Sequence, residues 1–186
     1  MQLRTTRLII RSFLEADVPA LQQLAVDKEA SPMAIYDQAF PTDEPAILEI
    51  TKWFASGDQF YAVCLIDSLE LIGFVTLNHQ QKTTERNLGY CLHSKLHGHG
   101  YATEMCGAIL YYAFNLLDVE RLVAGTGNVN IASVKLLERL GFTKIGESVI
   151  AFRKNEAGEP LEFIGGEYVL SKEDYQRKED ALTKPI

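Results

Sequence analysis

Several classes of protein are excluded by what this sequence lacks. Its three cysteines in 186 residues include no Cys-x-x-Cys pair, so neither a disulfide framework nor a cysteine-based zinc site is expected. No apolar run approaches the roughly 18 residues that span a membrane, and the first residues lack the apolar stretch of a signal peptide. These absences predict a cytoplasmic protein that acts without a membrane and without a disulfide.

Positive charge is also scarce. The chain has 18 lysine and arginine residues against 25 aspartate and glutamate residues, a net charge of −7. Proteins that bind nucleic acid over a broad surface normally carry the opposite sign, so no nucleic-acid partner is expected. A polyanionic small ligand would need a local site that concentrates hydrogen-bond donors and positive charge against the overall field.

The residues that are present are those of a globular chain. Apolar residues make up 47% and charged residues 23%, both close to the average of soluble domains. We expect one domain over residues 1–186, with a core over about residues 3–170 and a polar, frayed tail over residues 171–186. Strand-like and helix-like segments alternate, which predicts an α+β fold built on a mixed sheet.

Hydrophobic periodicity and capping residues predict the individual elements. The spacing of apolar residues predicts helices over residues 15–30, 42–54, 101–117 and 131–140. Strand-like runs occur over residues 8–10, 60–66, 71–77, 87–92, 121–124, 148–154 and 167–170. Asn130 is a favourable N-cap for the fourth helix, and Gly141 stands where a left-handed residue ends that helix.

The most informative segment covers residues 87–104, which combine a strand, a short loop and a glycine-rich start of a helix. Gly98 and Gly100 let the backbone approach a ligand, and the first amides of a helix form an anion site. Three basic side chains add local positive potential: those of Lys95, His97 and His99. Two histidines are too few for a zinc site, and the same glycines could also form only a tight turn.

Two common phosphate-binding patterns are absent, because the chain has no GxxxxGK[ST] and no GxGxxG followed by an acidic residue. The run from His97 to Ala102 instead resembles the coenzyme A pyrophosphate loop, Q/R-x-x-G-x-G/A, of the GNAT superfamily of N-acetyltransferases. Histidine stands at the first position, where glutamine or arginine is usual. Because such a loop binds mainly through backbone amides, we expect this difference to weaken the loop rather than to abolish it.

Four further segments resemble the same family and occur in its order. Residues 7–13, 71–75 and 88–90 look like strands of the branch that acetylates the N-termini of ribosomal proteins. Residues 130–142 look like the family's second coenzyme-binding segment. Together the motifs cover about residues 3–170.

The resemblance implies a mostly antiparallel sheet flanked by helices, in which the fourth and fifth strands splay apart around the pantetheine arm of acetyl-CoA. A backbone N–H around Leu92, near the end of the fourth strand, would polarise the thioester oxygen. Acetyl-CoA is the implied co-substrate, and no metal is implied. The implied coenzyme-binding residues are Leu92, His97, Gly98, His99, Gly100, Tyr101, Ala102, Thr103 and Asn130.

The implied reaction is direct attack of a primary amine on acetyl-CoA in a ternary complex. Many relatives protonate the departing thiolate with a tyrosine, but the corresponding residue here is Leu137. The ribosomal-protein branch uses a serine, which corresponds to Ser133. The general base stays open, because Asn87 stands where this branch often has glutamate and a neutral amide is not a base. The candidates for the base are Glu85, His79, His93 or a water molecule.

No motif identifies the acceptor, whose wall we expect within residues 15–56. One candidate acceptor is the N-terminus of a protein, such as a ribosomal protein. The others are a polyamine, an amino acid and an aminoglycoside. The absent tyrosine and Asn87 also fit a non-catalytic domain that binds or senses acyl-CoA. Ser133 could instead only help to satisfy the free amides of its helix. We expect a monomer or a homodimer.

Overall fold

The computed structural model describes residues 1–183, which form an eight-stranded sheet with helices on both faces. The strands are β1 (Gln2–Arg4), β2 (Leu8–Ser12), β3 (Phe60–Leu65), β4 (Leu71–His79), β5 (Glu85–Leu92), β6 (Arg121–Gly127), β7 (Thr143–Ile150) and β8 (Phe163–Ser171). The α-helices are α1 (Val18–Glu29), α2 (Glu44–Ser56), α3 (Tyr101–Asn115), α4 (Ile131–Leu140) and α5 (Lys172–Thr183). Over residues 1–183, no helix is long and apolar enough to cross a membrane.

The sheet has the order β1-β2-β3-β4-β5-β6-β8-β7, and every neighbouring pair is antiparallel except β5 with β6. That parallel pair is short, because Glu85–Asn87 lie opposite Arg121–Val123 and the strands part beyond them. β5 continues along β4 to Leu92, and β6 continues along β8 to Gly127. The prediction of a mixed, mostly antiparallel sheet with two strands that splay apart is confirmed.

The helices begin and end at residues whose chemistry explains the boundary. The side chain of Asp43 accepts a hydrogen bond from the Ala46 amide and starts α2. The Asn130 side chain does the same for the Ser133 amide at the start of α4, as the sequence predicts. Gly141, with φ +100°, ends α4 in the left-handed conformation that glycine adopts most easily.

Two apolar clusters cover the two faces of the sheet. On one face α3 and α4 bury side chains such as Met105 and Ile109. On the other face α1 and α2 bury side chains such as Leu21, Ile47 and Phe54. Each fully buried side chain of this size stabilises the fold by about 1.5–3 kcal/mol through removal of apolar surface from water. Both faces of the sheet are thereby covered by a packed layer of side chains.

Three strands differ from the sequence prediction. β1 was not predicted, and it lies at the edge of the sheet beside β2. β7 covers Thr143–Ile150 instead of residues 148–154, and β8 begins at Phe163 instead of residue 167. β7 is the other edge strand and most of its residues are exposed or half-buried, so no buried apolar run marked its position in the sequence.

The C-terminal segment corrects the expectation of a frayed tail over residues 171–186. Ser171 ends β8, its hydroxyl accepts a hydrogen bond from the Asp174 amide, and α5 follows. Tyr175 is buried and stacks on Phe114 with 5.0 Å between ring centroids. The helix is mostly polar and Tyr175 stands alone in its first two turns, which gives little periodic signal and explains the wrong prediction. Residues 184–186 of that tail lie outside the described residues.

Replacing Tyr175 by alanine tests whether α5 belongs to the core. Removal of a buried aromatic side chain costs about 3 kcal/mol, so we expect Tyr175→Ala to lower Tm by about 6–12 °C. Thermal unfolding followed by circular dichroism measures the shift. Gln176→Ala is the matched control, because Gln176 is exposed on the same helix and its removal should leave Tm nearly unchanged. Equal Tm values for the two variants would contradict the packing of α5.

Candidate functional site

A cleft of about 940 Å³ opens where β5 and β6 part. Its volume falls in the range of small-molecule sites, and its wall includes the end of β5 and the starts of α3 and α4. Of the residues that the sequence predicts for the site, the cleft is lined by Leu92, His97, Gly98, Gly100, Tyr101, Ala102, Thr103, Asn130 and Ser133. His99 lies just outside this lining, with its ring centroid 6.3 Å from that of Tyr101.

The amide of Leu92 points into the gap between the parted strands. The next residue, His93, donates its N–H to the carbonyl oxygen of Ile72 at 2.9 Å, and Leu92 lies opposite Gly73 on β4. Because successive amides of a strand point to opposite sides, the Leu92 N–H is directed away from β4. A backbone donor in this position can stabilise negative charge that develops on a carbonyl oxygen.

The loop before α3 has the geometry of an anion site. Gly98 and Gly100 have φ values of +79° and +82°, a conformation that favours glycine. A Cβ atom on Gly98 would meet no protein atom within 4 Å, so the backbone there is open to a ligand. The amides that start the helix have no intrahelical acceptor, and the helix dipole adds positive potential. These amides belong to Tyr101, Ala102 and Thr103.

Both histidines of the loop use their rings to fix its conformation. His97 Nε2 lies 2.9 Å from the carbonyl oxygen of Leu92, which ties the loop to the end of β5. His99 Nδ1 lies 2.9 Å from the carbonyl oxygen of His97. In the part of the chain that the structure describes, no group of three His, Cys, Asp or Glu residues is placed to hold a metal ion.

Two cationic residues of α4 that line the cleft were missed in the sequence. Lys135 and Arg139 lie one turn apart on α4, and both line the cleft. Arg139 Nη1 donates to Thr103 Oγ1 at 3.2 Å, so the guanidinium lies beside the first turn of α3. Their four-residue spacing on one helix face was the available signal. They place positive charge next to the anion site of a chain whose net charge is −7.

Arg7, directly before β2, connects the N-terminal segment to this loop. Its guanidinium binds the Glu104 carboxylate at 2.6 Å and donates to the carbonyl oxygen of His99 at 2.9 Å. It also lies 4.3 Å from the ring centroid of Tyr101, within cation–π distance. Glu104 accepts two more hydrogen bonds, from the Thr5 hydroxyl and from the Arg7 amide. The network therefore fixes the loop before α3 through contacts with the N-terminal segment.

Glu104 would oppose anion binding if its charge were unpaired, because it lies in the first turn of α3. Burial alone would raise the pKa of this carboxyl group. The hydrogen bonds from Thr5 and Arg7 outweigh burial and lower the pKa below its ordinary value of 4.5. Glu104 is therefore ionised at neutral pH, and Arg7 compensates its charge.

Ser133 meets a second hydroxyl group in the cleft. Tyr90 Oη lies 2.7 Å from Ser133 Oγ, although the two residues are 43 positions apart. The Ser133 amide already donates to Asn130 Oδ1 at 3.1 Å. Leu137, where many relatives have tyrosine, is 1% exposed and packs in the core. The polar groups at this point of the cleft are therefore the hydroxyls of Tyr90 and Ser133.

The three protein candidates for the general base lie outside the cleft lining. Glu85 is at the opposite end of β5 and pairs with Arg121 at 3.3 Å. At about 3.3 Å per residue, it is about 23 Å along the strand from Leu92. His79 is the last residue of β4, and its Nε2 atom lies 3.0 Å from Asp58 Oδ1.

The third candidate, His93, lies behind the cleft wall, where its Nδ1 is 3.5 Å from Asp27. Asp27 itself lines the cleft and accepts hydrogen bonds from the amide and hydroxyl of Ser94. Although burial raises the pKa of Asp27, these bonds lower it overall, so the carboxylate is a weak base. The cleft also contains Asp37, which pairs with Lys28 at 3.1 Å.

An ion pair beside the cleft joins two segments that are distant in sequence. Arg153, in the connection between β7 and β8, forms two 2.9 Å hydrogen bonds with Glu29 at the end of α1. Arg153 also donates to the carbonyl oxygen of Asp37. Tyr36 packs edge-to-face on Phe163 with 5.3 Å between centroids. Within the expected segment 15–56, residues between 27 and 38 line the cleft, and Ile150, Phe152 and Phe163 line it from β7, the β7–β8 connection and β8.

The class of protein follows from a match between this sequence and a known family. The sequence matches the acetyltransferase (GNAT) domain family over residues 7–143, which is most of the chain. The protein belongs to this family, and the predicted resemblance is confirmed.

Individual relatives agree with this assignment. The chain is 26% identical over 146 residues to the uncharacterized N-acetyltransferase YnaD of Bacillus subtilis, covering 78% of this chain and 85% of the relative. The fold is similar to that of a GNAT-family acetyltransferase from Bacillus anthracis, with 21% identity, coverage of 93% and 99%, and a TM-score of 0.80. It is also similar to a ribosomal L7/L12 α-N-protein acetyltransferase in complex with coenzyme A, with 19% identity, coverage of 92% and 98%, and a TM-score of 0.75.

Replacing Glu104 by glutamine tests the network behind the loop. Loss of the charge-assisted hydrogen bonds should lower the free energy of unfolding by about 1.5–3 kcal/mol at pH 7. Because the folded-state pKa is lowered, this stabilisation is complete above pH 4.5 and is lost as the pH falls through the folded-state pKa. Urea unfolding at pH 7 and at successively lower pH should therefore show that the difference in unfolding free energy between wild type and variant becomes smaller.

The matched control is Glu44→Gln, because Glu44 is an exposed carboxylate in the first turn of α2. It should change stability by less than about 0.5 kcal/mol. If the difference in unfolding free energy between wild type and Glu104→Gln stayed constant down to acidic pH, it would contradict an ionised, paired carboxylate.

Proposed function

We propose that the protein transfers the acetyl group of acetyl-CoA to a primary amine, which attacks directly in a ternary complex within the cleft. The observation that carries this proposal is the parting of β5 and β6 beside the glycine-rich start of α3. It combines an anion site, a backbone donor and a hydroxyl pair in one cleft. Ternary-complex transfer needs these three parts in one place.

The residues of the cleft fit acetyl-CoA as a substrate. Gly98 leaves open backbone where a pyrophosphate can approach, and Gly100 turns the chain into the helix. We assign the pyrophosphate to the amides at the start of α3, with His97 and His99 holding the loop. Lys135 adds positive charge from α4, as does Arg139. These residues offset the net negative charge of the chain locally.

The pantetheine arm would follow the gap between the strands. Asn130 uses its side-chain oxygen to cap α4, so its amide NH₂ group is left for the pantetheine arm or for a water molecule beside it. The Leu92 N–H, directed into the gap, would bind the thioester oxygen and stabilise the charge that develops during attack. The positions of both residues support an extended arm along β5.

We assign to Ser133 the role of hydrogen-bond donor to the departing sulfur, which then takes up a proton from the solvent and leaves as the free thiol. The amine lone pair forms the new C–N bond, the C–S bond breaks, and its electron pair stays on the sulfur. The Ser133 hydroxyl faces the cleft, and Leu137 packs in the core instead. The proton of the amine passes to a water molecule, because Glu85, His79 and His93 lie outside the cleft lining.

The state of Cys91 supports direct attack rather than an acyl-enzyme. Cys91 lines the cleft, but burial raises its pKa to about 12. At neutral pH it is therefore an inert thiol rather than a nucleophilic thiolate. The three cysteines are free, which agrees with our proposal that the protein acts in the cytoplasm.

We propose a protein N-terminus as the acceptor class. The second wall of the cleft carries the carboxylates of Asp27 and Asp37, and Lys28 compensates part of their charge, so a weak negative potential remains for a cationic amine. The similar structure of a ribosomal L7/L12 α-N-protein acetyltransferase supports the same class. A peptide with N-terminal alanine or serine is therefore the first acceptor, and spermidine is the comparison.

Replacing Gly98 by valine tests the coenzyme loop. Wild type should gain about 5–10 °C in Tm from acetyl-CoA at a hundredfold excess over Kd, whereas ATP and NAD should give no shift. Gly98→Val should raise the Kd for acetyl-CoA about tenfold or more, because a side chain fills the open backbone and strains a left-handed residue. Isothermal calorimetry measures Kd.

The matched control is Gly158→Val. Gly158 has φ +82°, close to the +79° of Gly98, and a Cβ atom there also meets no protein atom within 4 Å. Both variants therefore carry the same backbone strain, but only one lies in the cleft. An unchanged Kd in Gly98→Val, or an equal loss of affinity in both variants, would refute the loop assignment.

Replacing Ser133 by alanine tests its role in transfer. With an alanine-terminated peptide as acceptor, Ser133→Ala should lower kcat about tenfold or more and leave KM for acetyl-CoA nearly unchanged. The reason is that its hydrogen bond to the sulfur forms only as charge develops there. Release of coenzyme A thiol measures the rate, and spermidine is assayed in parallel.

Ser56→Ala is the control, because this serine also lies on a helix and its hydroxyl donates to the carbonyl oxygen of Trp53, away from the cleft. It should keep the wild-type kcat. Normal turnover in Ser133→Ala would remove Ser133 from the mechanism. Absence of any turnover by wild type with peptide or spermidine would refute the proposed acceptors.

A further inference from the structure

We propose that Tyr90 is a positioning residue for acetyl transfer: its hydroxyl donates a hydrogen bond to Ser133 Oγ and thereby directs the Ser133 hydrogen towards the departing sulfur. This inference rests on the proposed function of Ser133. It adds Tyr90, on β5, to a step that is assigned above to Ser133 on α4. Tyr90 acts through Ser133 and loses no proton.

The geometry joins two elements that meet only in the folded chain. Tyr90 lies on β5 two residues before Leu92, so both side chains lie on the same face of the sheet. From there the ring reaches the first turn of α4, and its Oη atom lies 2.7 Å from Ser133 Oγ. Both residues line the cleft. The contact therefore sits beside the strand that would bind the thioester.

The geometry allows either hydroxyl to donate, and we assign the donor role to Tyr90 from the chemistry of the two groups. A phenol is more acidic than an aliphatic alcohol, so it is the better donor and the poorer acceptor. Burial raises the pKa of Tyr90, which keeps the phenol protonated through the neutral range. Ser133 Oγ then accepts this hydrogen bond, and the single hydrogen of Ser133 is free to point into the cleft. In the reverse arrangement that hydrogen would be used on Tyr90.

The surroundings of Ser133 leave this role open to its hydroxyl. A serine in the first turn of a helix commonly serves the free amides there. In α4 the Asn130 side chain already accepts the Ser133 amide hydrogen bond. The phenol cannot come from position 137 either, because Leu137 is buried in the core. Tyr90 supplies a phenol at the cleft from the opposite wall.

A purely structural role for Tyr90 predicts different behaviour. Its ring packs against the cluster under α3 and α4, so loss of the ring would disturb the fold. Tyr90→Phe keeps the ring and removes only the hydroxyl. A structural effect would appear as a lower Tm or a changed KM, and it would persist whether or not Ser133 is present.

The experiment is a double-mutant cycle of Tyr90→Phe and Ser133→Ala, assayed by thiol release with acetyl-CoA and the alanine-terminated peptide. Tyr90→Phe should lower kcat about three- to tenfold, the range expected for one net hydrogen bond, with KM for acetyl-CoA within about twofold of wild type. The double variant should have the kcat of Ser133→Ala alone, because without Ser133 the tyrosine hydroxyl has nothing to position.

Tyr61→Phe is the matched control. Tyr61 is a tyrosine of the same apolar cluster, its hydroxyl donates to the carbonyl oxygen of Asp58, and it lies outside the cleft lining. It should keep the wild-type kcat, and its Tm sets the cost of removing a buried phenol hydroxyl. A Tm of Tyr90→Phe within a few degrees of Tyr61→Phe shows that the fold is retained.

The outcomes separate this inference from the function on which it rests. Wild-type kcat in Tyr90→Phe, or an additive loss in the double variant, would overturn the positioning role while acetyl transfer stands. A raised KM with unchanged kcat would assign Tyr90 to packing or coenzyme contact instead. If wild type bound acetyl-CoA but released no thiol with any amine, the proposed function would fail and the role of Tyr90 with it.

Discussion

The site depends on one constraint of the sheet, the end of the β5–β6 pair after three residues on each strand. Beyond that point, each strand has backbone donors and acceptors that face the gap and have no sheet partner across it. Unpaired backbone groups in a protein interior are costly. The outer edges of both strands stay paired, β5 with β4 and β6 with β8, so only the groups that face the gap lack a sheet partner. An extended amide-bearing ligand can satisfy these inner edges.

An acidic chain binds a polyanion only where local charge opposes its overall field, and here several contacts cooperate at one end of the cleft. The helix amides at the start of α3 supply neutral donors, while Lys135 and Arg139 approach from α4. Glu104 would oppose them, but Arg7 compensates its charge and holds the loop at the same time. One ion pair therefore serves both the electrostatics and the shape of the anion site.

Local signals predicted the local parts of the molecule. The glycine-rich loop, the Asn130 cap and the left-handed Gly141 each depend on a few neighbouring residues, and the structure has all three conformations. Contacts between distant residues were not predicted: Arg7 with His99 spans 92 positions. Such pairs produce no periodicity, because only the topology of the sheet brings their elements together. The edge strand β7 and the helix α5 failed for a related reason, since little of either is buried.

The contact between Tyr90 and Ser133 brings a phenol to the cleft from β5. Many relatives have a tyrosine on α4 instead, at the position of Leu137. On α4, position 137 faces the core, so a phenol there would need a different helix orientation. The start of α4 is fixed by the Asn130 cap, which places Ser133 towards β5 and frees its hydroxyl from capping. The strand face that carries Leu92 also carries Tyr90, so the backbone donor and the phenol are set by the same pleat. Register on β5 thereby couples the two groups that we propose to act on the carbonyl oxygen and on the sulfur of the thioester, and a shift by one residue would displace both.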